Sequence, residues 1–445
     1  MGVLEHVRRA DRVQDSDVYE QAVPMQLIAE IKQQVIERIG FEQAAQIVRT
    51  MGTQQARQEL LPAVETVLNE SGSSVGTDAV RTQVVRRVLD DIVGLGPLQP
   101  LLEDDSVTEI MINGCTSCFC EQHGTIKPLG ALFSSDEQIM IIIDRIVSPL
   151  GRRIDERSPV VNARLKNGYR VNAVIPPIAI DGPTLTIRKF SSRLNSLDEL
   201  VRLGSLPQWY AQLLSWAVIC REDLAVAGGT GSGKTTLLNA LSCEINPAER
   251  IVTIEDSAEL QFDAHPHVVR LEAREASIEG AGRVSIRDLV ANALRMRPDR
   301  IVVGEVRGSE CIDMLQAMNT GHDGSLTTLH AGTAEETIAR MILLARFGID
   351  LPSSLIEEQI STALDGIVMT VRSSQGKRFV STYSQISRSA DGKALLEECV
   401  GFDMYEQVWT LTQEPRFIQR ACDDGLLDVG DVECWRQLVS RSQQH

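Results

Sequence analysis

The sequence predicts an α/β protein built around a mostly parallel sheet, and three observations predict it. Apolar strand-like runs alternate with helical patterns from residue 201 to about residue 385, as in a sheet covered by helices on both faces. One of these runs, Leu224-Ala225-Val226-Ala227, enters a glycine-rich turn that leads straight into a helical pattern. Two later runs, Ile251-Val252-Thr253-Ile254 and Arg300-Ile301-Val302-Val303, end in acids.

Along the chain, residues 1–75 read as a helical appendage. Apolar side chains at Leu27, Ile28, Ile31, Val35, Ile36 and Ile39 make the stripe of an amphipathic helix between Pro24 and Gly40. Helical pattern continues through Leu60, Val64 and Val67, and Glu70-Ser71-Gly72-Ser73-Ser74-Val75-Gly76 reads as a flexible linker. Residues 76–190 read as a smaller α+β N-terminal domain. A helix carrying Val84, Val85, Val88, Leu89 and Ile92 ends at Gly94-Leu95-Gly96-Pro97, and strands follow at Thr108–Ile112 and Arg170–Val174. Between Arg145 and Arg193 stand ten Lys/Arg against three Asp/Glu; a solvated face is the ordinary account of such a run, and contact with phosphates the alternative. A polar linker, residues 191–200, leads to a RecA-like core over 201–385. Residues 386–445 form a C-terminal extension of mixed strand and helix signals with no chemical motif.

Composition removes several classes of function. A chain of 445 residues with 43% hydrophobic side chains can bury real cores and is too long for a single one. A net charge of −17 and only 4% aromatic residues argue against a nucleic-acid motor, because an acidic field repels the phosphate backbone. No secretory signal is read at the N-terminus. The most apolar stretch, Ile139-Met140-Ile141-Ile142-Ile143, is cut by Asp144 and Arg145, far short of the roughly 20 residues that span a bilayer. Nine scattered cysteines fit a reducing cytoplasm. Cys115, Cys118 and Cys120 near His123 admit a metal-site reading, but alternation favours a strand with Cys118 and Cys120 on its buried face, since no second ligand pair with zinc spacing occurs. His265 and His267, flanking Pro266, read as solvated loop residues.

The chemistry concentrates in Gly228-Gly229-Thr230-Gly231-Ser232-Gly233-Lys234-Thr235-Thr236, which fits the phosphate-loop pattern G-x-x-x-x-G-K-[ST] in its required strand-to-helix setting. The glycines let backbone N–H groups converge on phosphate oxygens, Lys234 adds a mobile charge, and the Thr235 hydroxyl can hold magnesium. Lys234 is also the only lysine between Ser191 and Gly376, and a compact ammonium suits a moving phosphate better than a guanidinium fork does. Glu305, past the second acid-tipped strand, is the candidate general base, and Glu255 and Asp256, past the first, are placed to order the metal or the attacking water. His330, rather than His322, is the candidate nucleotide sensor. An Asn-Lys-x-Asp element for guanine is missing from the sequence, so ATP is expected.

Four ordered stretches carry a resemblance to a known family: the phosphate loop, Thr253–Leu260, Met296–Gly308 and Thr320–Ala331. They look like the Walker A, aspartate box, Walker B and histidine box of the secretion-superfamily ATPases, most of all the CpaF/TadA-type ATPases of Tad (Flp) pilus assembly. Upstream, Gly94-Leu95-Gly96-Pro97-Leu98 and Val107–Gly114 extend the resemblance, which covers residues 80–385. It implies a cytoplasmic homohexamer, docked on an inner-membrane platform through partners, that uses ATP and Mg²⁺ to drive pilus assembly or secretion. It also implies that Arg164, Arg170 and Arg188 of the N-terminal domain reach nucleotide at a domain or subunit boundary. A type IV secretion or conjugation ATPase, and a ring subunit that binds nucleotide without hydrolysis, are the alternatives. Asn162 and Asn167 stand where members of that family often carry acids, and the paired C-x-x-C elements of pilus-extension ATPases are missing from the sequence.

Overall fold

The computed structural model describes residues 25–71, 78–122, 124–165, 167–189, 196–262, 265–274, 282–389 and 392–443. Most of the expected 70–76 linker, His123 and the first half of the 191–200 linker lie outside those residues, as do the first 24 positions. The chain divides into two units, Met1–Lys189 and Phe190–His445.

The first unit opens with helices α1 (Met25–Ile39), α2 (Phe41–Thr50), α3 (Thr53–Glu70) and α4 (Asp78–Val93). The stripe seen in the sequence buries Ile28, Ile31 and Val35 of α1 against Leu60 and Val64 of α3, and Val84, Val88 and Ile92 of α4 join the same core. Thus α4, which the sequence groups with the α+β domain, turns its apolar face to the preceding helices. Next come α5 (Gln99–Glu103), β1 (Val107–Asn113), β2 (Ser117–Gln122), β3 (Thr125–Gly130), α6 (Asp136–Val147), β4 (Val160–Arg164), β5 (Arg170–Val174) and β6 (Thr184–Arg188). Among the described residues the strands form one antiparallel sheet in the order β3-β2-β1-β6-β5-β4. One face packs Ile110, Ile112, Val171, Ala173, Leu185 and Ile187 against the α6 isoleucines. Cys118 and Cys120 alternate inward on β2 and are 1% and 3% exposed, as the strand reading expects.

The second unit comprises α7 (Leu197–Arg202), α8 (Gln208–Ile219), β7 (Leu224–Gly228), α9 (Lys234–Ser242), β8 (Ile251–Glu255), β9 (Val268–Glu272), α10 (Ile286–Ala293), β10 (Arg300–Val303), α11 (Glu310–Met318), β11 (Leu326–Leu329), α12 (Ala334–Arg346) and α13 (Ser353–Ala363). It continues with β12 (Gly366–Arg372), β13 (Arg378–Arg388), β14 (Ala394–Asp403), β15 (Val408–Leu411), α14 (Arg416–Asp423) and α15 (Val429–Ser442). The sheet order is β15-β14-β13-β12-β7-β11-β10-β8-β9. The run from β12 to β9 is parallel, and β13 to β15 are added antiparallel.

Both faces of this sheet are covered, which is why β7 and β8 read as continuous apolar runs rather than alternating ones. Leu224 and Val226 of β7 face a core shared with α8, α9, α14 and α15, whereas Ala225 and Ala227 face α10 to α13. Residue 385 falls inside β13, so the sheet runs on past the position where the sequence signal for the core ends. The extension then folds back over it, with Trp435 of α15 donating its indole N–H to Trp209 O at 2.7 Å. No helix among the described residues is long and apolar enough to cross a membrane.

Candidate functional site

Strands β7, β11, β10 and β8 lie side by side and parallel, so their C-terminal ends share one edge of the sheet. That edge is where open α/β sheets present ligand-binding groups. Gly228 ends β7 where a Cβ would sit 2.4 Å from Thr370 O on β12, a spacing that admits only glycine. The loop then turns through Gly231 at φ 68° and Gly233 at φ 101°, backbone conformations that L side chains rarely adopt. Gly229 and Thr230 are exposed, Ser232 is buried, and Lys234, Thr235 and Thr236 make the first turn of α9. All nine residues singled out in the sequence therefore lie in one continuous loop and helix start, the arrangement that favours anions.

From this loop a run of polar contacts crosses the strand ends. The Lys234 ammonium donates to Gly228 O at 3.0 Å and Gly229 O at 2.9 Å, and stands 3.3 Å from His330 Nδ1. His330, the first residue after β11, places Nε2 at 3.1 Å from Glu305 Oε1. The other Glu305 oxygen accepts from Arg307 Nη2 at 2.5 Å, and Arg307 Nη1 lies 3.6 Å from Asp256 Oδ2. Burial, reinforced by the Lys234 ammonium, lowers the His330 pKa, while Glu305 pulls it the other way. In the neutral form that this shift favours, Nδ1 accepts from the ammonium and the ring proton is carried on Nε2, the nitrogen nearer the carboxylate.

The two acids singled out at the strand tips have different surroundings. Glu255, 2% exposed, uses Oε2 to accept from the N–H groups of Glu259 at 2.6 Å and Leu260 at 2.9 Å. Its Oε1 is buried without a hydrogen-bond partner. Burial raises its pKa, and the two backbone donors oppose that shift. Glu305 stands beyond the end of β10 with its side chain 19% exposed, between a histidine and an arginine, and its Oε1, 3.1 Å from His330 Nε2, is likewise buried without a hydrogen-bond partner.

Sequence reasoning left Arg307 and Glu310 without roles. Glu310 Oε1 accepts from the backbone N–H of Arg307 at 2.6 Å and of Gly308 at 2.8 Å, fixing the turn that presents Arg307 to Glu305. Their sequence signal was the proximity of an arginine and an acid to the strand-end Glu305. His322 is used structurally, its Nδ1 being 3.2 Å from Ala317 O at the end of α11.

Arg164, Arg170 and Arg188 belong to the first unit. They are directly opposite one another on β4, β5 and β6, so the three form one row across the sheet, with Glu109 of β1 continuing it.

Among the described residues no group of three or more His, Cys, Asp or Glu side chains is placed to hold a metal ion. A magnesium ion bound mainly through phosphate oxygens and water needs no such cage. The Thr235 hydroxyl and the unpartnered Glu255 Oε1 are donors suited to that kind of site.

Comparison with known proteins gives a consistent neighbourhood. A family described as Type II/IV secretion system protein matches residues 91–401. A putative conjugal transfer protein of Mycobacterium tuberculosis (strain ATCC 25618 / H37Rv) is 37% identical over 314 residues, covering 69% of this chain and 88% of the relative. The type IV secretion system protein VirB11 of Brucella suis biovar 1 (strain 1330) is 32% identical over 311 residues, covering 64% and 86%. Among solved structures, the VirB11 ATPase of the Brucella suis type IV secretion system, in complex with sulphate, is 30% identical with a TM-score of 0.35, covering 67% of this chain and 95% of that one.

Proposed function

The chain belongs to the type II/IV secretion system protein family, and on that premise we propose that it is a magnesium-dependent ATPase whose hydrolytic cycle drives a secretion or pilus-assembly machine. The observation that carries the reading is the run Lys234, His330, Glu305, Arg307, each within 3.3 Å of the next, which brings a carboxylate at a neighbouring strand end close to the phosphate loop.

In this reading the RecA-like core of the second unit binds the nucleotide. The loop N–H groups and Lys234 hold the phosphates, with Lys234 exchanging its bonds to Gly228 O and Gly229 O for phosphate oxygens. Drawing the ammonium away from His330 Nδ1 removes a hydrogen-bond donor from one side of the ring whose other nitrogen faces Glu305. Occupancy of the loop is thereby reported to the base, which is the sensing role assigned to His330. Glu305 orients the attacking water and takes its proton, a step in which positioning and charge neutralisation do most of the work. Arg307 fixes one Glu305 oxygen and, through Asp256, has a second acid within reach. The Thr235 hydroxyl and Glu255 would hold a magnesium ion, which would supply charge neutralisation at the phosphates.

Arg164, Arg170 and Arg188 fit a role as cations offered to nucleotide across a boundary in a homohexamer, since a row of guanidinium groups on one sheet face makes a concentrated anion-seeking surface. The machine stands at the cytoplasmic face of an inner membrane and is reached through platform proteins. Two cargoes are compatible with the site. The motif resemblance favours Tad (Flp) pilus assembly, whereas the conjugal transfer and VirB11 relatives favour type IV secretion.

Nucleotide retention tests the core of the reading. Wild-type protein with magnesium is expected to hold ATP, and Lys234→Ala to lose it; equal retention by both would overturn the assignment. Mass in solution with and without a non-hydrolysable ATP analogue tests the ring, and a chain that stays monomeric at all concentrations excludes a neighbour's arginines.

A further inference from the structure

Past the phosphate loop, β12 and β13 form a hairpin that touches the loop at three places. Thr370 of β12 sits with Oγ1 at 2.7 Å from Ser232 Oγ, a buried contact. Arg378, the first residue of β13, donates from Nε to Gly231 O at 2.9 Å. Arg372, directly opposite Arg378 in the ladder, places Nη1 3.2 Å from the position a Cβ on Gly231 would take. The two residues met, Gly231 and Ser232, belong to the loop, yet the side chains reaching them come from 138 to 147 positions later.

The physical consequence follows from the planarity of the peptide. In a trans peptide the carbonyl of one residue and the N–H of the next point in opposite directions. Anchoring Gly231 O outward on a guanidinium therefore fixes the Ser232 N–H toward the inside of the loop. There its partner is Gly229 O at 3.4 Å, long for such a bond, and a phosphate oxygen would replace it to advantage. Gly231, at φ 68° and without a Cβ, places little steric restraint of its own on this peptide. Arg378 thus removes a freedom that glycine introduces, and it does so with a permanent charge beside an anion site.

We propose that the β12–β13 hairpin is the outer wall of the nucleotide site, and that Arg378, assisted by Arg372, is a positioning residue that holds the phosphate loop in the form that accepts a nucleoside di- or triphosphate. The proposal rests on the ATPase reading above and deepens it. It assigns a function to the start of the antiparallel strands, which connects that part of the sheet to the state of the loop.

Calorimetric titration of the full-length chain with magnesium and either ADP or a non-hydrolysable ATP analogue tests it. The proteins are wild type, Arg378→Ala, Arg378→Lys, Arg372→Ala and the loop control Lys234→Ala. Losing one charge-assisted hydrogen bond that orders the site is expected to raise Kd about tenfold in Arg378→Ala. Arg378→Lys, which keeps the charge and one donor, is expected to recover part of the loss, and Arg372→Ala to show a smaller one. In steady-state hydrolysis KM should rise in Arg378→Ala while kcat stays within about threefold, because the groups around Glu305 are untouched. Amide exchange at Ser232 should quicken without a fall in the unfolding temperature, since Arg378 is exposed.

Wild-type affinity in Arg378→Ala overturns the proposal. So does a loss that Arg378→Lys leaves unrepaired and that tracks a lowered unfolding temperature, which would mark a purely structural tie. A wild-type protein that binds neither nucleotide removes the ATPase reading itself. Binding that is abolished by Lys234→Ala but indifferent to Arg378 removes only the hairpin's part.

Discussion

Replacing Glu305 with glutamine changes one charge and almost no volume, which makes it the most discriminating perturbation of the site. Glutamine keeps an oxygen for Arg307 Nη2 and loses only the ionic component of that 2.5 Å contact. The pair is partly solvated, with side chains 54% and 19% exposed, so its loss is worth about 0–1 kcal/mol of stability. That corresponds to no more than about 2–4 °C in unfolding temperature for a unit of this size. Affinity is expected to stay within about threefold of wild type, since Lys234 bonds to Gly228 O, Gly229 O and His330 Nδ1. Turnover is where the change must appear. A positioned general base contributes about 10²–10⁴-fold, and kcat is expected to fall by that factor, about 3–5 kcal/mol of barrier. Phosphate release under saturating ATP and magnesium, read beside nucleotide titration of the same preparation, separates the two. A variant that keeps more than about a hundredth of wild-type kcat would refute Glu305 as the base, taking the low end of that range as the bound. Loss of ATP binding would refute the separation of loop from base.

Further outcomes follow from the same geometry. Arg307→Ala frees Glu305 from its strongest cation and is expected to lower kcat about tenfold with KM little changed; an unaltered rate in the phosphate-release assay would remove Arg307 from the positioning of the base. Gly324→Ala puts a Cβ 1.7 Å from Arg300 Nη1 at a glycine of φ +82°, displacing a fully buried guanidinium from Gly324 O and Val218 O. Urea denaturation should report a loss of about 3 kcal/mol or more, and a cost below about 1 kcal/mol would contradict that packing. Burial and the neighbouring Asp365 carboxylate push Asp223 up to about 9 and Glu222 up to about 8. Between the ordinary carboxyl range and those values the folded chain holds protons that the unfolded chain has released. Their stabilisation is complete below about pH 4 and is lost as pH rises through 8 to 9. The denaturation midpoint should therefore fall between pH 6 and 9.5, with a shallower fall in Asp223→Asn; a midpoint that rises across this window would sink the assignment.

What the sequence made legible was chemistry that is contiguous or sits at strand ends. The phosphate loop is one run of residues, and its strand-to-helix setting is β7 and α9. Acid-tipped runs could be read as converging because parallel strands deliver their ends to one edge, and β8 and β10 are hydrogen-bonded neighbours in that sheet. What stayed hidden depends on partners far apart in the chain. Thr370 and Arg378 carry no local mark of their contacts with Ser232 and Gly231, since nothing in a hairpin's own pattern says which loop it will lie against. Arg300, 0% exposed, reads in the sequence as a charged start to an apolar strand. Only the fold supplies Glu249, Gly324 O and Val218 O to satisfy it. The C-terminal extension was opaque for a related reason. Trp409, Trp435 and Phe417 belong to a core whose other half begins with Leu197, so their spacing within the tail encodes no motif.

The division of labour between the two strand-end acids also emerges only from the fold. In the sequence Glu255 and Glu305 look alike, each an acid after an apolar run. Glu255 is the last residue of β8 itself, so its side chain is drawn into the sheet edge, where two backbone N–H groups of the following turn occupy one oxygen. Even the backbone beside it is adapted, because a Cβ on Gly304 would lie 2.9 Å from Glu255 Cγ. Glu305 follows that glycine and stands two residues beyond the strand, far enough to meet His330 and Arg307. A carboxylate whose pKa is raised by burial and whose orientation is fixed by backbone donors is suited to a steady supporting contact. One held between a histidine and a half-exposed arginine is free to exchange partners, which suits the role of base proposed for Glu305.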